Sequence, residues 1–106
     1  MINHLARVLR VANADHNTAS EILELAARAL EAGESPTDAA REAAWVTESR
    51  ARDTYAWARC VYSRLEGRGA CYPPEDVCPQ CKRAQRELNR VFAVVDAVRR
   101  AARRWR

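Results

Sequence analysis

Apolar residues recur every three or four positions at the start of the chain, which is the spacing of one face of an α-helix. These positions are Ile2, Leu5, Val8, Leu9 and Ala12. The pattern predicts a first helix over residues 1–14. The polar residues 13–17 predict a turn after it.

A second helix is predicted over residues 18–32. Thr18 is followed three positions later by Glu21, the spacing of a capping box, in which side chains bond the free backbone N–H groups of the first turn. An apolar stripe follows at Ile22, Leu23, Ala26, Ala29 and Leu30. Gly33 then ends the helix, because glycine readily adopts the left-handed conformation that closes helices.

A third helix is predicted over residues 36–66. Ser35 is suited to accept hydrogen bonds from the first turn, Pro36 to occupy the first helical position, and Asp38 to face the positive end of the helix dipole. Gly67 and Gly69 end the pattern. One face of this helix is predicted to carry Ala39, Ala43, Val46, Thr54, Trp57, Ala58, Val61 and Leu65.

Residues 32–41 resemble the opening of a helix-turn-helix DNA-binding unit, and the residues around Val46 and Thr54 resemble its second half. The chain departs from that motif at Ala44, which occupies the position of the usual turn glycine. It departs again where Arg50 and Asp53 replace buried apolar side chains of the recognition helix. We therefore predict one continuous helix here.

The last helix is predicted over residues 79–105, after a cysteine-containing loop at 67–78. Its apolar stripe consists of Cys81, Ala84, Leu88, Val91, Phe92, Val95, Val98, Ala102 and Trp105. The chain has only 3 glycines and 4 prolines, and alanine is abundant, which favours helix over strand. We expect residues 1–106 to form one all-α domain, a small bundle of about four helices.

The four cysteines are candidate metal ligands. Cys60, Cys71, Cys78 and Cys81 include a C-x-x-C pair, and four thiolates form the tetrahedral set typical of structural zinc. The residues fall near the end of the third helix, in the loop and at the start of the fourth helix. A zinc ion would therefore clamp the last two helices together, with no open coordination position for catalysis.

Other interpretations of the cysteines stay open. An iron–sulfur cluster uses the same four ligands but is less favoured. Cys78-Pro79-Gln80-Cys81 also resembles the redox pair of thioredoxin-like proteins, yet no preceding strand is predicted. Buried free thiols and disulfides are the remaining alternatives. The start of the chain lacks the apolar stretch of a signal peptide, which favours a reducing, cytoplasmic location over disulfide formation.

Positive charge is concentrated at the C-terminal end. Residues 82–106 carry nine cations and two carboxylates, a balance of +7, whereas residues 1–81 carry nine cations and twelve carboxylates, a balance of −3. One side of the last helix is predicted to present Lys82, Arg86, Arg90, Arg100 and Arg104. Such a side could follow a phosphate backbone, or it could be a solvated surface. All cations except Lys82 are arginine, which an arginine-rich coding bias would also produce.

A second candidate surface lies on the third helix, away from its apolar stripe. It contains residue types that dominate binding at protein interfaces, namely Trp45, Arg52, Tyr55, Arg59 and Tyr62. It could bind a partner protein, or another helix of the bundle or of a second copy could cover it.

Catalytic motifs are not recognisable, so we predict a non-enzymatic protein without a small-molecule substrate or a membrane partner. The first hypothesis is a zinc-stabilised accessory or regulatory protein that binds nucleic acid or a nucleoprotein through its arginine-rich last helix. The alternative is a protein-binding adaptor or inhibitor, of the kind that phages and mobile elements encode, which uses the surface on the third helix.

Overall fold

The computed structural model describes residues 1–58 and 79–105, with the backbone alone at 55–58, 80 and 81. The described chain forms four helices: α1 (Ile2–Val11), α2 (His16–Glu31), α3 (Pro36–Ala58) and α4 (Pro79–Ala102). Within these ranges no strand occurs, which confirms an all-helical fold consistent with a small bundle. The remainder of the predicted third helix and the loop at 67–78 lie outside the described residues.

The turns after α1 and α2 have the same hydrogen-bonding geometry. Asn13 has a φ of 60°, and the N–H of Ala14 donates to the carbonyl of Leu9 at 3.0 Å. Gly33 has a φ of 93°, and the N–H of Glu34 donates to the carbonyl of Ala29 at 3.1 Å. Both are Schellman motifs, which satisfy the free carbonyls of the last helical turn. They make the sharp reversals that pack consecutive helices side by side.

The two predicted N-caps had different outcomes. Ser35 caps α3 as expected, because its Oγ accepts a hydrogen bond from the N–H of Asp38 at 3.1 Å. The predicted start of α2 at Thr18 is wrong. Asp15 is the cap, and its Oδ1 accepts a hydrogen bond from the N–H of Thr18 at 2.7 Å, so that the helix begins at His16. A carboxylate at the cap also interacts favourably with the helix dipole.

The core lies between all four helices. Its largest fully buried side chains are Leu5, Leu9, Ile22, Val95 and Val98. Alanines fill much of the remaining interior, because small side chains let helix backbones approach one another closely. Those of α3 are Ala39, Ala40, Ala43 and Ala44, all with no exposed surface.

The buried side of α3 is broader than its predicted stripe. Ala39 and Ala43 are buried as expected, but Thr54 is exposed, whereas Thr47 and Ala51 are buried. The cause is that α3 packs against both α2 and α4, so two of its sides face the core. Helix α3 is continuous from Pro36 to Ala58, as expected, and contains no turn of a helix-turn-helix unit.

Helices α3 and α4 run antiparallel. The Thr37 hydroxyl, near the start of α3, shares its one proton between two carbonyls at the other end of α4: that of Ala102, the last helical residue, at 3.2 Å and that of Trp105, just after the helix, at 2.6 Å. Further along α3, the Arg52 guanidinium lies 4.8 Å from the centre of the Phe92 ring. The last described turn of α3 and the first turn of α4 therefore lie at the same end of the bundle.

Candidate functional site

The predicted metal ligands lie mostly beyond what the structure describes. Cys60, Cys71 and Cys78 fall outside residues 1–58 and 79–105. Cys81 lies in the first turn of α4, where the backbone alone is described. Among the described residues no group of three or more histidine, cysteine or acidic side chains forms a metal site. The zinc site therefore stays a prediction.

The predicted basic side of α4 is exposed along its length. Its members Lys82, Arg86, Arg90, Arg100 and Arg104 are all exposed, and Arg104 lies in the turn just after the helix. At about 1.5 Å per residue this basic face, as we call these five residues, extends over about 33 Å. Ala93 and Ala97 lie between its two halves on the same side of the helix.

The basic face has few intramolecular charge partners. Arg90 pairs with Glu87 at 3.1 Å, in a surface contact one helical turn apart. The other four cations have no carboxylate partner within residues 1–58 and 79–105. Their charge is therefore available to a ligand, at least on the described part of the surface.

A groove of about 600 Å³ lies between α1 and α4, next to the second half of the basic face. Its residues are His4, Arg7, Val8, Val11, Ala12, Ala93, Ala97, Arg100, Ala101 and Arg104. Val11 is 83% exposed. The sequence pattern does not predict this groove, because the contribution of Arg7 and Val11 depends on how α1 packs against α4.

A hydrogen bond joins the end of the chain to α1. The indole N–H of Trp105 donates to Nδ1 of His4 at 2.9 Å, and the two rings meet edge to face with centres 5.1 Å apart. Trp105 also packs against the hydrophobic core. This contact holds the turn after α4 beside α1, and His4 also lines the groove. His4 therefore has a specific structural contact.

The candidate surface on α3 is only partly described. Trp45 is 63% exposed, as a binding residue would be. Arg52 is engaged within the protein, since its guanidinium contacts Phe92 of α4 and pairs with Glu48 at 3.0 Å. The Tyr55 side chain, Arg59 and Tyr62 lie outside the described part of the structure. The described residues thus leave Trp45 as the free element of this surface.

Glu48 is the centre of the charged contacts between α3 and α4. Its two carboxylate oxygens accept hydrogen bonds from Arg99 of α4 at 2.6 Å and from Arg52 at 3.0 Å. These bonds to Arg99 and Arg52 lower the pKa of Glu48 from its ordinary value of 4.5, because they favour the ionised form. Arg99 and Arg52 therefore stabilise the contact between α4 and α3.

Comparison with known proteins gives no relative: no protein-family model, no curated protein and no solved structure matches this chain. None of the helices in the described residues is both long and apolar enough to span a membrane. The described fold and surfaces define a small all-helical bundle that carries a basic face and an adjoining open groove.

Proposed function

We propose that this chain is a non-enzymatic accessory or regulatory protein that binds nucleic acid, free or in a nucleoprotein, through the basic face of α4. The observation that carries the proposal is the exposure of all five cations along one side of α4, four of them on the helix and Arg104 in the turn just after it. The helix backbone holds these side chains at fixed spacing. On binding, only the flexible ends of the arginine and lysine side chains would lose conformational freedom.

The size and charge of the basic face suit a phosphate backbone. Its length of about 33 Å is close to one turn of B-form DNA, about 34–36 Å. Arginine binds phosphate through two parallel N–H groups, and each neutralised phosphate releases condensed counterions. A surface of this kind binds with little sequence preference unless side chains also reach the bases.

We further propose that Cys60, Cys71, Cys78 and Cys81 bind a structural zinc ion. Two features support this proposal: the four-thiolate set with its C-x-x-C pair, and the antiparallel arrangement of α3 and α4. The residues that flank the described gap, Ala58 and Pro79, belong to helix ends on the same side of the bundle. Zinc would fix the start of α4, where Lys82 and Arg86 lie. An iron–sulfur cluster would use the same ligands.

The basic face is tested by fluorescence anisotropy with a labelled 20-base-pair duplex and the corresponding single strand, at about 50 to 200 mM salt. With five phosphate contacts we expect duplex affinity to fall about 500-fold across that range. Replacing Arg86, Arg90, Arg100 and Arg104 by Gln should remove most of this salt dependence. A control in which Arg10, Arg28, Arg41 and Arg50 become Gln loses the same charge elsewhere on the surface.

Comparison of the two variants distinguishes binding at the basic face from attraction by the net charge of the protein. If the control retains duplex binding and the α4 variant loses it, the basic face is the binding site. Equal weakening by both variants would leave only net charge as the cause, and the proposal would be wrong.

The metal is tested by native mass spectrometry of protein purified under reducing conditions, before and after a strong chelator. We expect one zinc per chain and a lower melting temperature after chelation, because metal binding contributes to folding free energy. Two iron atoms or four iron atoms with sulfide would instead identify a cluster. A metal-free mass lower by two or four hydrogens would identify disulfides.

A second candidate function has one observation in its favour. Trp45 is 63% exposed on α3, and exposed tryptophan is enriched at sites that dominate protein–protein binding. The chain would then be an adaptor or inhibitor of a partner protein, and Trp45→Ala would abolish that interaction while leaving nucleic-acid affinity unchanged. Trp45→Phe is the matched control, because it retains an aromatic ring.

A further inference from the structure

The groove between α1 and α4 has an apolar floor that the bundle itself leaves uncovered. Ala93, Ala97 and Ala101 lie one helical turn apart along α4, and Val8 and Val11 face them from α1. Val11, the last residue of α1, is 83% exposed. Burying this floor would stabilise a complex, at about 25 cal/mol for each Å² of apolar surface.

The rim of the same groove is positively charged. Arg7 lies on the α1 side, and Arg100 and Arg104 lie on the α4 side. None of the described residues that line the groove is acidic, and these three arginines have no carboxylate partner in residues 1–58 and 79–105. The electrostatic complement is therefore a ligand with negative charge along both of its edges.

The shape and the chemistry together favour a helix as the ligand. A third helix fits between two neighbouring helices, and the alanines of α4 allow its backbone to approach to about 8–10 Å. A phosphate backbone would place charged oxygens over the apolar floor. The floor would lose its contact with water, but no apolar atoms of the ligand would be buried against it. A helix with an apolar stripe flanked by carboxylates would bury the apolar floor and pair with the arginines of the rim.

We propose that this groove binds an amphipathic, acidic helix of a partner protein, with its apolar stripe on Val8, Val11, Ala93 and Ala97 and its carboxylates paired with Arg7, Arg100 and Arg104. The proposal goes beyond nucleic-acid binding and does not depend on it. Arg100 and Arg104 belong to both surfaces, so the acidic helix and nucleic acid compete for this half of α4.

The probe is a fluorescein-labelled helical peptide of about 16 residues, with leucine at every third or fourth position and glutamate on both sides of the leucine stripe. Binding is measured by anisotropy, and the contact surface by amide chemical-shift changes in ¹⁵N-labelled protein. We expect shifts concentrated at Arg7, Val11, Ala93, Ala97 and Ala101. A peptide with glutamine in place of glutamate should bind about tenfold more weakly, since it loses the charged pairs with the rim.

Two uncharged substitutions test the floor separately from the rim. Val11→Gln and Ala97→Gln fill or polarise the groove without altering net charge, and together they should weaken peptide binding at least about tenfold. Ala32→Gln is the matched control, because Ala32 is an exposed alanine in the turn after α2, away from the groove. Val11→Gln alone is the second variant if the double variant folds poorly, since Val11 is already exposed.

Each outcome decides the proposal. Loss of peptide binding in the groove variants, with the Ala32→Gln control unchanged, supports it. Absence of peptide binding, or peptide binding that survives Val11→Gln and Ala97→Gln, overturns it.

Discussion

The contact between α3 and α4 and the groove between α1 and α4 use arginine in opposite ways. In the first region, Arg99 and Arg52 converge on Glu48, and Arg52 also lies against Phe92. In the second region, Arg7 and Arg100 border an apolar groove with no carboxylate among its described lining residues. Arg99 and Arg100 are neighbours in the sequence, yet one is a structural residue and the other is available to a ligand.

The difference arises from which helix lies opposite. Helix α3 carries Glu48 toward α4, so the arginines on that side of α4 have an internal partner. Helix α1 contains Arg7 and Arg10 but no acidic residue at all, so the arginines that face it gain no ion pair. The number of arginines in a segment therefore says little about binding until each one's internal partners are known.

The largest expected effect concerns how α1 is held in place. Leu9 is 1% exposed and packs in the core beneath the groove. We expect Leu9→Ala to lower the free energy of unfolding by about 2–5 kcal/mol, because it leaves a cavity and removes apolar contacts. Urea unfolding followed by circular dichroism measures the change. Val11→Ala on the same helix is the control and should cost less than about 0.5 kcal/mol, since Val11 is exposed.

A smaller effect should follow from removing the charge of Glu48. We expect Glu48→Gln to lower the free energy of unfolding by about 1–2 kcal/mol at neutral pH, because Arg99 and Arg52 lose a shared anionic acceptor. Chemical unfolding at several pH values measures it. Glu24→Gln, which removes an exposed surface pair with Arg28, should change stability by no more than about 0.5 kcal/mol.

The effect of Glu48 should depend on pH in a defined direction. Its pKa in the folded protein lies below the ordinary value of 4.5, so its stabilising contribution is complete above that value and is lost as the pH falls through the lower, folded-state value. The difference between the parent protein and Glu48→Gln should therefore be constant near neutral pH and shrink below about pH 4.5. A difference that stays unchanged down to pH 3 would contradict this role for the ion pair.

The Thr37 hydroxyl should have the smallest of these effects. It contacts two carbonyls at the end of α4, those of Ala102, the last helical residue, and of Trp105, just after the helix. We expect Thr37→Val, which keeps the shape, to lower stability by about 1 kcal/mol, and Thr37→Ser, which keeps the hydroxyl, to lower it less. Thermal unfolding of the two variants compares them directly.

Local rules were sufficient for the elements that depend on neighbouring residues. The helical periodicity, the Ser35 cap, the end of α2 at Gly33 and the continuity of α3 all follow from short-range sequence patterns. The cap of α2 was misassigned because Asp15, Thr18 and Glu21 all suit the start of a helix, and the aspartate wins by bonding the N–H of Thr18. When two possible capping residues lie within one turn of each other, their sequence spacing alone does not show which of them forms the cap.

Features that depend on tertiary packing were beyond the sequence pattern. The burial of Ala40, Ala44 and Thr47 reflects contacts of α3 with two other helices, which a single stripe does not reveal. Arg52 was assigned to a binding surface because of its position on α3, whereas Phe92 and Glu48 engage it in the folded chain. The exposure of the basic face agrees with its predicted placement, but its role in binding stays a prediction.

The most direct test of this account compares Arg99→Gln with Arg100→Gln, two adjacent substitutions that remove the same charge from the same helix. We expect Arg99→Gln to lower the free energy of unfolding by about 1 kcal/mol and to leave duplex affinity within about twofold. Arg100→Gln should lower duplex affinity about five- to tenfold near 100 mM salt and change stability by less than about 0.5 kcal/mol. The opposite pattern, or equal effects of the two variants on both quantities, would contradict the division between structural and ligand-binding arginines.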